Sequence, residues 1–201
     1  MKKSLLLLPI ALIAMAIALT ACGGGSSSSG GGEEAAIEEA IETSATSTDP
    51  SKCTEVQTEA FNETESGKSG KAALEACEEE VETESDPAES VNVSEISENG
   101  ESATADVEVE GGSLAGQSVE VEVTKEEGDW KLNEILGFSN YDPAGIAAAL
   151  EEKLGEEEGI TPALAKCVSE GVAEMSQDEV EAMVFEKSSE GVEEIANACN
   201  E

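Results

Sequence analysis

The sequence predicts an α+β fold: helices packed on one face of a four-stranded antiparallel sheet, followed by a small disulfide-stapled all-helical unit. Three observations carry this. Between Val91 and Leu132, apolar residues recur at every second position; before and after that stretch they recur at helical spacing; and the four cysteines that follow Cys22 flank it as two local pairs. A period of two marks a half-buried strand, and one near 3.6 an amphipathic helix.

Taken in order, Glu33 to Thr43 reads as a first helix with Ala36, Ile37, Ala40 and Ile41 on one side. A turn follows at Asp49-Pro50-Ser51. Thr54 to Asn62 and Lys71 to Thr83 read as two further helices, with Val56, Ala60 and Phe61 on one and Ala73, Leu74, Cys77 and Val81 on the other. After Asp86-Pro87 come Val91 and Val93; Ala103, Ala105, Val107 and Val109; Val119, Val121 and Val123; then Trp130 and Leu132. Asn99-Gly100 is a hairpin signal, and Gly111 to Gly116 and Glu127-Gly128-Asp129 supply the next two turns. Consecutive hairpins make an antiparallel meander that needs cover on one face only.

From Pro143 onward helical spacing returns, with Ile146, Leu150 and Leu154, then Leu164, Val168, Val172 and Met175, then Val180, Met183 and Val184, then Val192, Ile195 and Cys199. A unit of this size buries a modest core, so a covalent staple and docking on the preceding domain are expected. Met175 and Met183 read as core fillers. Four cysteines allow three connectivities. Pairing Cys53 with Cys77 and Cys167 with Cys199 keeps each bridge inside one helical segment, and loops of this length constrain the unfolded chain by about 3 to 4 kcal/mol each. With no CxxC and no histidine, a metal or redox role for these cysteines has little support.

The amino terminus carries a different signal. Lys2 and Lys3 precede a nearly pure apolar run from Leu5 to Leu19, a secretory pattern. As a helix that run spans about 22 Å, short of the roughly 30 Å of a bilayer core. It ends in Leu19-Thr20-Ala21-Cys22, which resembles the bacterial lipobox. The resemblance implies a signal peptide over residues 1–21 and lipidation of Cys22, and two acyl chains on its thioether exceed the marginal hold of one. Without an Arg-Arg pair, the general secretion route is expected. Gly23 to Gly32 holds only Gly and Ser, so residues 22–32 read as a lipidated cysteine and flexible tether of roughly 17 Å reach.

Charge narrows the function. There are 46 acidic residues against 10 basic ones, every one of them Lys, and a formal net charge of −36 that excision of Lys2 and Lys3 makes more negative. Such a surface repels nucleic acid and anionic headgroups. Glu78-Glu79-Glu80, Glu126-Glu127, Glu151-Glu152 and Glu156-Glu157-Glu158 lack the ligand spacing and central glycine of a calcium loop and read as solvated faces. The composition resembles that of proteins from salty habitats. High charge with few aromatics also suits a disordered chain, but the alternating strands, amphipathic helices and paired cysteines favour a folded one.

The helical start at Glu33, the long final hairpin and the strand Asp129-Trp130-Lys131-Leu132-Asn133-Glu134-Ile135 together resemble the nuclear transport factor two-like, cystatin-like cone folds of secreted bacterial lipoproteins. The strand is similar to the "G-W-K-I" strand of those domains. The resemblance covers residues 33–141 and implies that the sheet is curved, wraps a helix and in some members leaves an apolar pocket. Residues 142–201 then form the small helical C-terminal unit. Catalytic members similar to ketosteroid isomerases place an acidic base and an oxyanion donor in the pocket. Here Tyr141 and Asp142 are the only adjacent pair of those types, and their place before Pro143 reads as a boundary turn.

No other catalytic constellation stands out. Without His there is no Ser-His-Asp triad, and without Arg no bidentate phosphate clamp. Gly67-Lys68-Ser69 echoes a phosphate loop, but Asn62 stands where its first glycine belongs. Gly111-Gly112-Ser113-Leu114-Ala115 fails the nucleophile elbow at its last position. The expectation is a non-enzymatic lipoprotein, lipid-anchored on the outside of the cell membrane, with no catalytic, metal or cofactor residues. It would bind an envelope protein or a small apolar ligand, or serve an envelope role, and would not bind nucleic acid. The alternative is an isomerase- or hydrolase-like enzyme using a pocket in the cone domain.

Overall fold

The computed structural model describes residues 31–83, 86–156, 159–185, 188 and 190–199. It is α+β: four helices, a four-stranded antiparallel sheet, then four more helices. The predicted signal peptide and Cys22 lie outside the described residues. No helix among the described residues is long and apolar enough to cross a membrane.

Helix α1 (Gly31–Thr46) takes in the last two glycines of the stretch read as tether. It buries Ile37, Ala40, Ile41 and Ser44, the i, i+3, i+4, i+7 stripe of a helix seated on a core. The single helix expected over Thr54 to Asn62 is instead two, α2 (Lys52–Glu55) and α3 (Glu59–Ser66). Between them Val56 accepts the Leu132 N–H at 2.9 Å and Thr58 donates to the Leu132 carbonyl at 3.0 Å. Thr58 then caps α3, its hydroxyl accepting the Phe61 N–H. Tertiary pairing plus a capping side chain outweighs local helical spacing here. Gly67, of the phosphate-loop echo, ends α3 in the left-handed conformation with its N–H on the Glu63 carbonyl. Helix α4 (Lys71–Thr83) matches its predicted span.

The strands β1 (Ser90–Asn99), β2 (Ser102–Glu110), β3 (Ser118–Glu126) and β4 (Asp129–Asn140) form a meander in chain order. Ala103 faces Val123, Ala105 faces Val121 and Val107 faces Val119, which puts one apolar row over α1. Strand β4 runs eight residues past Leu132, the last apolar position of the alternating pattern. Val123, Val121 and Val119 meet Leu132, Ile135 and Phe138, so β4 advances three residues for every two of β3. Two bulges absorb the difference, and each bends its strand and adds twist.

Helices α5 (Pro143–Glu156), α6 (Pro162–Ala173), α7 (Gln177–Val184) and α8 (Glu190–Cys199) follow. Thr161 caps α6, and Ser176 with Glu179 forms a capping box on α7. Ile146, Val172 and Val180 join the same apolar core as Ile37, Val121 and Phe138. Phe138 packs on Tyr141 and Phe185, with ring centroids 5.3 and 5.0 Å apart.

Candidate functional site

Both bridges take the local pairing. Cys53–Cys77 joins α2 to α4 with a Cα separation of 6.1 Å, and Cys167–Cys199 joins α6 to α8 at 5.8 Å, distances a relaxed disulfide accepts. Around the first, Asn62 Nδ2 donates to the Cys53 carbonyl at 2.7 Å, and the buried Gln57 donates through Nε2 to Ser44 Oγ at 2.9 Å. No group of three or more potential metal ligands occurs among the described residues.

Tyr141 and Asp142 occupy the turn from β4 into α5. Asp142 Oδ1 accepts the Ala144 N–H at 3.0 Å, and its backbone is held from both sides by the fully buried Gln117. Gln117 Nε2 donates to the Asp142 carbonyl at 3.1 Å and Oε1 accepts the Asp142 N–H at 2.8 Å. This side-chain amide imitates a strand partner 25 residues away, and nothing in the local sequence marks it. The Tyr141 hydroxyl is buried without a hydrogen-bond partner; burial first, and the Asp142 charge second, push its pKa up. It is therefore a neutral phenol at physiological pH.

The sheet face turned away from α1 is polar and acidic. Asp106 stands directly opposite Glu120, and Glu122 opposite Glu134. Like charges facing each other across strands are destabilising. Asn133, donating from Nδ2 to Glu122 Oε1 at 2.8 Å, offsets this locally.

Clefts lie on both sides of α3. A cleft of about 190 Å³ beside Cys77 holds Lys52, whose Nζ donates to the Ser44 carbonyl at 3.1 Å; burial lowers its pKa and the Glu80 charge opposes that. A second of about 320 Å³ runs between Cys53 and Lys131. A third, of about 200 Å³, is a groove bounded by α3, β4 and α7. None of the three is lined by Tyr141. Among the described residues no Asp or Glu is buried, and the space between α1 and the sheet is filled by apolar side chains.

The groove lies along the free edge of β4. That edge is closed at one end by Val56 and Thr58 on Leu132. At the other end Glu181 Oε1 accepts the Phe138 N–H at 2.8 Å and Gln177 Nε2 donates to the Phe138 carbonyl at 3.0 Å. Gly137 makes this docking possible: its φ of +145° suits glycine, and a Cβ there would stand 2.8 Å from Glu181 Oε1. No family model, curated protein or solved structure matches this chain.

Proposed function

We propose that this protein is a lipoprotein anchored by Cys22 on the outer side of the cell membrane, where it acts by binding and not by catalysis. The observation that carries the reading is the pair of closed disulfides, Cys53–Cys77 and Cys167–Cys199, which belong to an oxidising compartment. With them stand the leader-like residues 1–21 and the lipobox-like Leu19-Thr20-Ala21-Cys22. The cone reading of residues 33–141 draws support from the helix seated on one sheet face and from the bulges of β4, which curve a sheet. The filled interior favours a scaffold whose surface does the binding, with an envelope protein as partner ahead of a small apolar ligand.

The test is membrane fractionation and intact-mass analysis of the protein from its host, alongside Cys22→Ser. The expected result is an amino terminus at a diacylated Cys22 in the membrane fraction, and an uncleaved or released Cys22→Ser chain. A mature terminus elsewhere overturns the proposal.

A further inference from the structure

The sheet has two outer strands, and the fold treats them differently. The free edge of β4 is closed at Leu132 by Val56 and Thr58, and at Phe138 by Glu181 and Gln177. On β1, among the described residues, no hydrogen bond from outside the sheet reaches the backbone of Ser90 to Ser94. The register is regular over those five residues, and the bulge begins only after Ser94. Val109 of β2 donates to the Gln117 carbonyl and accepts the Gly116 N–H, both on the β3 side. Backbone groups alternate in direction along an antiparallel pair, so Val91 and Val93, opposite Val109 and Val107, turn their N–H and C=O groups to the free edge. Two donors and two acceptors thus stand in a row on an exposed strand.

The side chains of this edge say what covers it. Ser90-Val91-Asn92-Val93-Ser94 carries no charge and reads the same in both directions. Laid antiparallel on itself about Asn92, it sets Val91 against Val93, Ser90 against Ser94 and Asn92 against Asn92. Four backbone hydrogen bonds then close with no like charges opposed among these five residues. The same pairing covers apolar surface: Val107 and Val109 are buried, whereas Val91 and Val93 beside them are only half-buried, and the second copy's valines continue that row. We infer that the β1 edge is where a second copy of this chain pairs, antiparallel and two-fold, joining two four-stranded sheets into one of eight strands. A strand from another protein could meet the same backbone groups, but it would have no use for a sequence that mirrors itself. Glu89 and Glu95 come together at each end of the pairing, and each chain carries a net charge of −36, so screening by salt strengthens the dimer. The inference stands apart from the anchored reading above.

The experiment reads the register by cross-linking. At the two-fold axis the Asn92 pair exchanges no backbone hydrogen bonds, which brings its Cα atoms to about 4.5 Å, within reach of a disulfide. The two Ser94 residues are offset by about 13 Å along the strands, beyond that reach. The full-length exported protein carrying Asn92→Cys or Ser94→Cys, both at exposed positions, is oxidised in glutathione buffer at about 0.01 and 1 M sodium chloride. Covalent dimers are mapped by non-reducing peptide analysis, and melting temperatures confirm that both variants fold. Asn92→Cys is expected to link through position 92 at least tenfold faster than Ser94→Cys links through 94, and faster in the higher salt. Adding Glu95→Gln to Asn92→Cys should raise the low-salt rate. Equal rates for the two variants would mean random collision and overturn the inference, and so would the absence of a link at position 92 in 1 M salt. An Asn92→Cys chain that links in its host to a different protein, and not to itself, would overturn the second copy as occupant.

Discussion

The indole of Trp130 donates from Nε1 to the Glu33 carboxylate at 2.8 Å, tying the first turn of α1 to the final hairpin. Lys125 completes the junction: its Nζ donates to both Glu33 oxygens, at 2.9 and 2.8 Å, and sits 5.4 Å from the Trp130 ring centroid. This small polar node holds α1 over the sheet at the end that carries the β3–β4 turn.

The node gives the fold a pH dependence of known sign. The Lys125 hydrogen bond first, and the Trp130 one second, hold the Glu33 pKa below its ordinary value of 4.5. A carboxyl with a lower pKa folded than unfolded contributes stability above its unfolded value, and loses it as pH falls through the folded value. The melting temperature of the native protein should therefore exceed that of Glu33→Gln at pH 6. The difference should shrink as the pH is taken below about 4, and thermal melts from pH 7 to 3 measure it.

Gly137 and Glu181 should couple. Gly137→Ala strains a φ of +145° and crowds Glu181, so a loss of about 1–3 kcal/mol is expected from denaturant melts. Glu181→Ala leaves the Phe138 N–H without its acceptor, at about 1 kcal/mol. In the Glu181→Ala background the alanine at 137 has room, and its cost should be smaller than in the native chain. Strict additivity would show that the close approach carries no energy.

Replacing Cys53 and Cys77 together by alanine frees a loop with a sequence separation of 24 residues, and doing so at Cys167 and Cys199 frees one of 32. Each double variant should lose about 3–4 kcal/mol in equilibrium urea unfolding. The two losses should be similar, because loop entropy grows only with the logarithm of length.

Salt should stabilise the protein. The net charge of −36 is set against few cations, and the outer sheet face opposes Asp106 to Glu120 and Glu122 to Glu134. At 0.01 M ionic strength the Debye length is about 30 Å, and at 1 M about 3 Å. The melting temperature should rise across that range of sodium chloride. A flat or falling curve would mean that self-repulsion is too dispersed to matter.

Much of this architecture is legible in the sequence where the cause is local. Lys71 to Thr83 carries its own helical stripe, and the valines of β2 and β3 alternate without interruption. Legibility fails where a distant partner decides. Val56 to Thr58 leave the helical path because Leu132 offers them a strand edge. Beyond Leu132 the core-facing residues Ile135 and Phe138 come three apart, which breaks the period of two, and only the register against β3 shows a bulged strand continuing there. Gln117 and Glu181 are ordinary polar letters whose roles exist only once Asp142 and Phe138 are brought to them. The groove is assembled from α3, β4 and α7, so no window of sequence contains it.

Each bridge joins two cysteines that are neighbours in the order of the chain, Cys53 to Cys77 and Cys167 to Cys199. A polypeptide delivered amino terminus first into an oxidising space presents Cys53 and Cys77 before Cys167 arrives. Once Cys22 is withdrawn, the earliest oxidation open to the remaining four cysteines is thus already the native one, and so is the next. In the anchored form proposed above, acylation takes Cys22 out of the competition as well. Maturation then calls for an oxidant alone, and an isomerase that reshuffles mispaired thiols would find nothing to correct.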